Sequence, residues 1–187
     1  MKGHDLFRIS AIYAAVLCYS TILLGGTVMA SGVGLSCPHW PTCYANGNLL
    51  PAAAGGAAVE WSHRVSAFFL SVAVLAMAFL GVVYERGRPV LMRLGLLSLG
   101  LVVAEALLGA EVVSSGLFVS LVLIHLAIAT GLFGLLLILV LLSNLREMPR
   151  RWIEWARRAT EETPSPEAKS SPVPSYDRVP LGEPRES

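Results

Sequence analysis

Residues 31–64 read SGVGLSCPHWPTCYANGNLLPAAAGGAAVEWSHR, and this stretch separates two long apolar runs of the chain. Cys37 and Cys43 lie in its first half, and Glu60, His63 and Arg64 close it. Between positions 9 and 59 there is no Asp, Glu, Lys or Arg. Glu60, His63 and Arg64 therefore form a polar cluster at the start of an apolar segment. Such a polar cluster at the start of a hydrophobic run predicts a functional site.

The composition is typical of an integral membrane protein. Apolar residues make up 55% of the chain and charged residues 14%, and the mean hydropathy is +0.64, which excludes an ordinary soluble domain. A transmembrane helix needs about 20 mostly apolar residues, and four runs are long enough: 7–30, 60–84, 91–113 and 117–142. We therefore predict an all-α, four-transmembrane-helix bundle over residues 1–145. A net charge of +1 gives no indication of nucleic-acid binding.

The positions of Lys and Arg predict the orientation in the membrane. These residues precede the first run, surround the turn between the second and third, and follow the fourth, as Lys2, Arg8, Arg86, Arg88, Arg93, Arg146, Arg150 and Arg151. We predict a multi-pass cell-membrane protein with both termini cytoplasmic and the cysteine loop (residues 31–44) outside. A cleaved signal peptide is disfavoured, because the first run exceeds the roughly 7–15 apolar residues of such signals. His4 is then a cytoplasmic residue that we expect to be dispensable.

The cysteine loop should be a rigid, non-helical turn, because Pro38 and Pro41 have restricted φ and no amide donor. On an oxidising face, Cys37 and Cys43 favour a disulfide. Three interpretations remain open: a structural bridge, a bridge that is reduced and re-formed during a reaction, and a metal site that includes His39. The metal site is the weakest, because the spacing is not a usual zinc pattern.

The end of the chain has a different character. Residues 146–162 carry Trp152 and Trp155 among arginines, which predicts an amphipathic helix on the cytoplasmic membrane surface. Residues 163–187 are rich in Pro, Ser and charge, which predicts a disordered cytoplasmic tail. We assign no function to either segment.

Ionisable residues inside the apolar runs indicate a ligand site. Glu60 and His63 share one helix face, and Glu105 should face the bundle interior because a carboxylate in hydrocarbon is costly. His125 is the only ionisable residue between positions 111 and 146. The second and fourth runs cross the membrane in the same direction, so His63 and His125 should both lie in its outer half. Two imidazoles at matched depth on different helices can ligate a haem iron; the alternative is two unrelated histidines.

The strings GLSCPHWPTC (34–43), EWSHR (60–64) and LIHLAIA (123–129) resemble the amino-terminal half of the haem A synthases over roughly residues 25–131. The resemblance implies a membrane enzyme that oxidises a methyl group of haem O, by successive hydroxylations, to the formyl group of haem A. It also implies His63 and His125 as axial iron ligands, Glu60 as the catalytic carboxylate, and a disulfide between Cys37 and Cys43.

The implied cofactor is haem with its iron: haem O as substrate, with haem B or haem A also bound in the site. Arg64 is a candidate partner for haem propionates, against the alternative that it only reaches the membrane surface, and Glu105 is a second candidate cofactor-binding residue. The family usually has two four-helix halves in one chain, so a single half predicts a homo-oligomer. Other expected partners are the lipid membrane, and a haem O synthase or terminal oxidase assembly proteins.

Two departures and two alternatives accompany the resemblance. His39 stands where Asp is common in the family, and Met29 stands where Arg is common. A b-type electron-transfer cytochrome would use the same two histidines but would need neither Glu60 nor the cysteine loop. A thiol–disulfide oxidoreductase would need a second redox-active pair, which Cys18 alone does not supply.

Overall fold

The computed structural model describes residues 3–44, 55–145, 155, 157 and 158. Within these residues it is all-helical, with no strand. The four long helices are α1 Gly3–Ala30, α2 Gly56–Tyr84, α3 Pro89–Ser114 and α4 Val119–Asn144. They form one compact unit, residues 1–146. The predicted all-α bundle is confirmed.

The helices differ slightly from the predicted apolar runs at their ends. α3 begins with Pro89 in its first turn, where the missing amide of proline costs no hydrogen bond. α4 begins at Val119 rather than at Leu117, because Gly116 and Leu117 have φ of 68° and 66°. This left-handed turn reverses the chain, and the Leu117 amide donates to the Val112 carbonyl at 2.9 Å.

The surface of the bundle is apolar, as expected for helices that face lipid. Phe68, Phe79, Leu107 and Leu141 are each 64–66% exposed. All four helices are long and apolar enough to cross a membrane, and a patch of large exposed apolar side chains this extensive is rare on soluble monomers. The chain is therefore a multi-pass membrane protein.

The interior is packed around small residues of α1 and large residues of the other helices. Ala11 and Ala14 are fully buried and let the neighbouring helices approach closely. The core also contains Phe7, Cys18, Val74, Met77, Val102, Leu132, Leu136 and Leu139. This apolar packing fills the half of the bundle remote from the cysteine loop and supports the half that carries the polar residues.

Each helix contacts two others. The contacting pairs are α1 with α2, α2 with α3, α3 with α4 and α1 with α4, and over residues 3–44 and 55–145 the diagonal pairs do not contact. The connections after α2 and α3 are short, so neighbouring helices are antiparallel. The end of α1, the start of α2, the end of α3 and the start of α4 thus lie together beside the cysteine loop; we call this the loop end of the bundle.

The opposite end is held by a buried carboxylate. Glu85, just after α2, is 2% exposed, and its Oε1 lies 2.7 Å from His4 Nδ1 on α1. Arg88 donates to the Leu142 carbonyl at 2.6 Å. His4 therefore ties α1 to the end of α2, a contact that the sequence did not indicate. This makes it a poor negative control for mutagenesis, although it was expected to be dispensable.

The second unit comprises residues 147–187. Its described residues Trp155, Arg157 and Arg158 are helical and exposed, which agrees with a helix at this point. The rest of the predicted amphipathic segment 146–162, and the predicted disordered tail 163–187, lie outside the described residues.

Candidate functional site

A cavity of about 740 Å³ lies at the loop end of the bundle. This volume is within the usual range for small-molecule and cofactor sites. Most of its lining is apolar, but Glu60, His63, Arg64, Glu105 and His125 all contribute to it. The five ionisable residues selected from the sequence as catalytic or cofactor-binding thus line a single cavity.

His63 is oriented by the backbone of α1. Its Nδ1 lies 3.1 Å from the Thr21 carbonyl oxygen. A carbonyl can only accept, so Nδ1 carries the proton and donates, which leaves the lone pair of Nε2 available to a metal. The Thr21 hydroxyl lies 2.7 Å from the Ser66 hydroxyl on α2, a contact that aligns the two helices beside His63.

His125 faces a carboxylate of α3. Its Nδ1 lies 2.8 Å from Glu105 Oε2, and Glu105 is 8% exposed. The two atoms are close, yet Nδ1 and the other carboxylate oxygen, Glu105 Oε1, have no hydrogen-bond partner within the part of the chain that the structure describes. The contact is therefore a close approach of the imidazole to the carboxylate.

Two glycines leave space beside the imidazoles. A Cβ atom on Gly25 would lie 3.0 Å from His63 Cε1, and one on Gly109 would lie 3.5 Å from His125 Cε1. The first distance is tighter than ordinary van der Waals contact, whereas the second is ordinary contact. Gly25 is thus required for the present position of His63, and Gly109 leaves room at the His125 ring.

A Gly25→Ala substitution tests this packing. The added methyl group should displace the His63 imidazole by a few tenths of an ångström without weakening helix α1, because Ala favours helices more than Gly. We expect haem affinity to fall about tenfold, the lower end of the effect of losing a residue that orients a metal ligand. The measurement is a titration of the purified protein with haem, followed by absorption.

The neighbouring Gly26 provides the matched control. A Cβ atom there would meet nothing within 4 Å, so Gly26→Ala makes the same chemical change on the same helix without touching His63. Equal haem affinity in the two variants would show that the position of His63 does not matter for haem binding.

Glu60 and Arg64 hold the cysteine loop on the start of α2. Glu60, which is 2% exposed, accepts a hydrogen bond from the Cys37 amide at 2.8 Å and pairs with Arg64 through its other oxygen. Arg64 also donates to the carbonyls of Cys37, His39 and Thr42. Both Glu60 carboxylate oxygens are thus engaged, and the guanidinium NH1 and NH2 groups bind the loop.

The loop itself is closed by a disulfide. The Cys37 and Cys43 sulphur atoms are 2.00 Å apart, and both residues are fully buried. His39 lies exposed between them, and Trp40 and Pro41 line the cavity. Because both sulphur atoms belong to the disulfide in this structure, they are not available as thiolate ligands for a metal site with His39.

Cys18 is a free, buried cysteine in the middle of α1. Its thiol donates to the Ala129 carbonyl of α4 at 3.9 Å, and it lines the inner part of the cavity. It behaves as the small buried residue that the sequence predicts.

The cavity can be tested for its fit to a haem. Over the described ranges 3–44 and 55–145, no group of three or more His, Cys, Asp or Glu side chains could hold a bare metal ion. Haem supplies its own four equatorial nitrogens and takes only axial ligands from the protein. Two imidazoles with Nδ1 facing an acceptor, an apolar lining and the space beside Gly25 and Gly109 are compatible with that group.

Sequence reasoning found the ionisable residues of the site but missed the groups that orient them. The Thr21 carbonyl could not be found from residue type, because every residue has one. The pairing of Glu105 with His125 had a partial signal, since Glu105 was predicted to face the interior and His125 to be a ligand residue in the outer half of the membrane. The hydrogen bonds from Arg64 to the loop had no signal in the sequence, because every residue carries a backbone acceptor.

Comparison with known proteins identifies the family of this chain. The family model described as cytochrome oxidase assembly protein, COX15-CtaA, matches residues 53–163. A heme A synthase of Geobacillus thermodenitrificans is 33% identical over 168 residues, 88% of this chain and 50% of that protein. One of Geobacillus kaustophilus is 33% identical over 146 residues, 76% of this chain and 44% of that protein.

A third relative carries a different name. A protoheme IX farnesyltransferase of Halobacterium salinarum is 29% identical over 126 residues, 67% of this chain but 27% of that protein. The chain spans about half the length of the heme A synthases that it matches. The match to the family model, the relatives and the motifs of the cavity agree, and the chain belongs to the COX15-CtaA family of cytochrome oxidase assembly proteins.

Proposed function

We propose that this chain acts as a haem A synthase. It would oxidise a methyl group of haem O, by successive hydroxylations, to the formyl group of haem A, with an external oxidant consumed as co-reactant. The observation that carries the proposal is the single cavity in which His63 and His125 approach from diagonal helices, each with Nδ1 against an acceptor. Membership of the family supports it.

Within this proposal His63 and His125 bind the haem iron through Nε2. A buried carboxylate near the reacting methyl group can stabilise developing positive charge or move a proton, and Glu60 is the carboxylate next to His63 on the cavity wall. Its contacts add a second role, because it also holds the Cys37 amide. Glu60 therefore connects the cysteine loop to the site.

We propose that the main role of Arg64 is to position the cysteine loop, and that its contact with the haem is secondary. Its NH1 and NH2 groups donate to three loop carbonyls and to Glu60. An approaching propionate would have to share or replace these bonds. The loop contributes Trp40 and Pro41 to the cavity wall, so Arg64 affects the shape of the site even without binding a propionate.

The proposed topology places the cysteine loop outside and both termini in the cytoplasm. It is supported by the distribution of Lys and Arg: of the five in residues 3–44 and 55–145, only Arg64 lies at the loop end, and the other four lie at the far end, as Arg8, Arg86, Arg88 and Arg93. The disulfide supports it as well, because disulfides persist on the oxidising side of a membrane.

We further propose a homo-oligomer and a supplying enzyme. The resemblance to heme A synthases that are about twice as long as the matched region supports the association of two copies. Haem O is a farnesylated haem, and part of a protein named protoheme IX farnesyltransferase resembles this chain. An enzyme that farnesylates haem is thus the proposed source of the substrate, with terminal oxidase assembly proteins as possible recipients of the product.

The test is the pigment of membranes from a host that makes haem O but no haem A. With the chain expressed, we expect extracted haem to include haem A and a hydroxylated form of haem O; without it, only haem O and haem B. Purified protein that contains haem but never yields haem A would favour a b-type electron-transfer cytochrome. Protein that takes up no haem would refute both functions.

A further inference from the structure

The two histidines are held by the same local arrangement on the preceding helix. On α1, Thr21 supplies the acceptor for His63, and Gly25 four residues later supplies the space beside its ring. On α3, Glu105 faces His125 Nδ1, and Gly109 four residues later lies beside that ring. An acceptor followed one turn later by glycine thus occurs twice, once for each histidine-bearing helix.

The two arrangements differ in one respect, the charge of the acceptor. His63 faces a neutral backbone carbonyl at 3.1 Å, whereas His125 faces a carboxylate at 2.8 Å. A carboxylate behind a metal-bound imidazole makes that imidazole a more basic and stronger donor than a carbonyl does. A stronger axial donor stabilises ferric relative to ferrous haem and so lowers the midpoint potential.

We propose that Glu105 is a positioning residue that makes His125 the stronger of the two axial donors and His63 the one that exchanges more readily. This inference rests on the proposed haem-binding function. It does not alter the proposed roles of the two iron ligands or of Glu60. Those roles do not depend on which histidine is the stronger donor.

The surroundings of Glu105 support this role. The residue lies in the middle third of α3 and is 8% exposed, a depth at which a carboxylate without a partner is costly. Its Oε1 has no hydrogen bond within the described part of the chain, so His125 is the cationic or donor group that its carboxylate faces at short range. A carboxylate used only to join helices would be expected to satisfy both oxygens.

The test compares Glu105→Gln with Glu111→Gln in the full-length protein loaded with haem B. Gln keeps the size and a hydrogen-bonding oxygen but removes the charge. Glu111 is the matched control, because it lies on the same helix, is exposed and contacts Ser114. We measure the midpoint potential by spectroelectrochemical titration. We also measure the concentration of free imidazole that replaces a native axial ligand in half of the protein molecules.

Glu105→Gln should raise the midpoint potential and let imidazole compete at lower concentration, while Glu111→Gln should match the wild type. Glu105→Ala, which also removes the orienting contact, should lower haem affinity about 10–100-fold. If Glu105→Gln bound no haem but kept the circular dichroism and size-exclusion profiles of the wild type, that result would also support the positioning role. Loss of haem together with loss of helix content would overturn it in favour of a structural role.

An unchanged potential and unchanged imidazole competition in Glu105→Gln would overturn the inference, yet leave the proposed function intact if the wild type makes haem A. Wild-type protein that binds no haem would overturn both. The potential and the competition are measured without turnover, so these two failures are distinguishable.

Discussion

Replacing His63 or His125 by Ala is expected to reduce haem binding by more than about 100-fold and to abolish haem A formation. The estimate follows because loss of a residue that merely orients a ligand costs about 10–100-fold, and loss of the ligand itself should cost more. The two residues line one cavity from α2 and α4. The measurement is the ratio of haem absorption to protein in samples purified in parallel.

His39→Ala is the matched control for this pair. His39 is exposed on the cysteine loop and interacts with Arg64 through its backbone carbonyl, which the substitution keeps. His4 is unsuitable, because it contacts the buried Glu85. If either the His63 or the His125 variant retained a wild-type haem spectrum and content, the proposed axial ligation would be wrong.

Replacing Glu60 by Ala is expected to leave haem bound while slowing conversion of haem O by about 100-fold or more, the usual effect of removing one group that stabilises a transition state. The side chain lines the cavity, yet its carboxylate oxygens face Arg64 and the Cys37 amide. The variant should therefore accumulate haem O or its hydroxylated form, which chromatography of the extracted pigment would reveal.

A Glu60→Gln variant separates the two roles of this residue. Its amide oxygen can still accept from the Cys37 amide, but the negative charge opposite Arg64 is lost. If Gln restored haem A formation, Glu60 would act by holding the loop. If the reaction remained slow with the disulfide intact by mass spectrometry, the charge or the proton of Glu60 would be needed. Wild-type conversion by Glu60→Ala would contradict any role in the reaction.

Much of the bundle could be predicted from the sequence because its strongest signals are local. Long apolar runs set the four helices, and lone ionisable residues such as Glu105 and His125 within those runs had to face the interior, since lipid penalises charge. Short connections then made neighbouring helices antiparallel. Those steps sufficed to predict the two histidines at the same end, and the structure places both in one cavity.

The remaining features depend on packing and could not be predicted in the same way. The sequence predicts His4 to be a dispensable cytoplasmic residue, but it contacts Glu85, 81 positions away. The donors of Arg64 could have reached lipid headgroups or a ligand, and only the folded loop shows that they bind backbone carbonyls. The conformation of Leu117 follows from the turn that joins α3 to α4 and has no signal in its residue type.

The diagonal placement of α2 and α4 has a mechanical consequence. Over the ranges 3–44 and 55–145 the backbones of these helices are not in contact, so a ligand bonded to both histidines would connect two helices at opposite corners of the bundle. A resident cofactor can keep such a link in place indefinitely, but a substrate has to leave as product. Each turnover would then form this link between α2 and α4 and break it again when the product leaves.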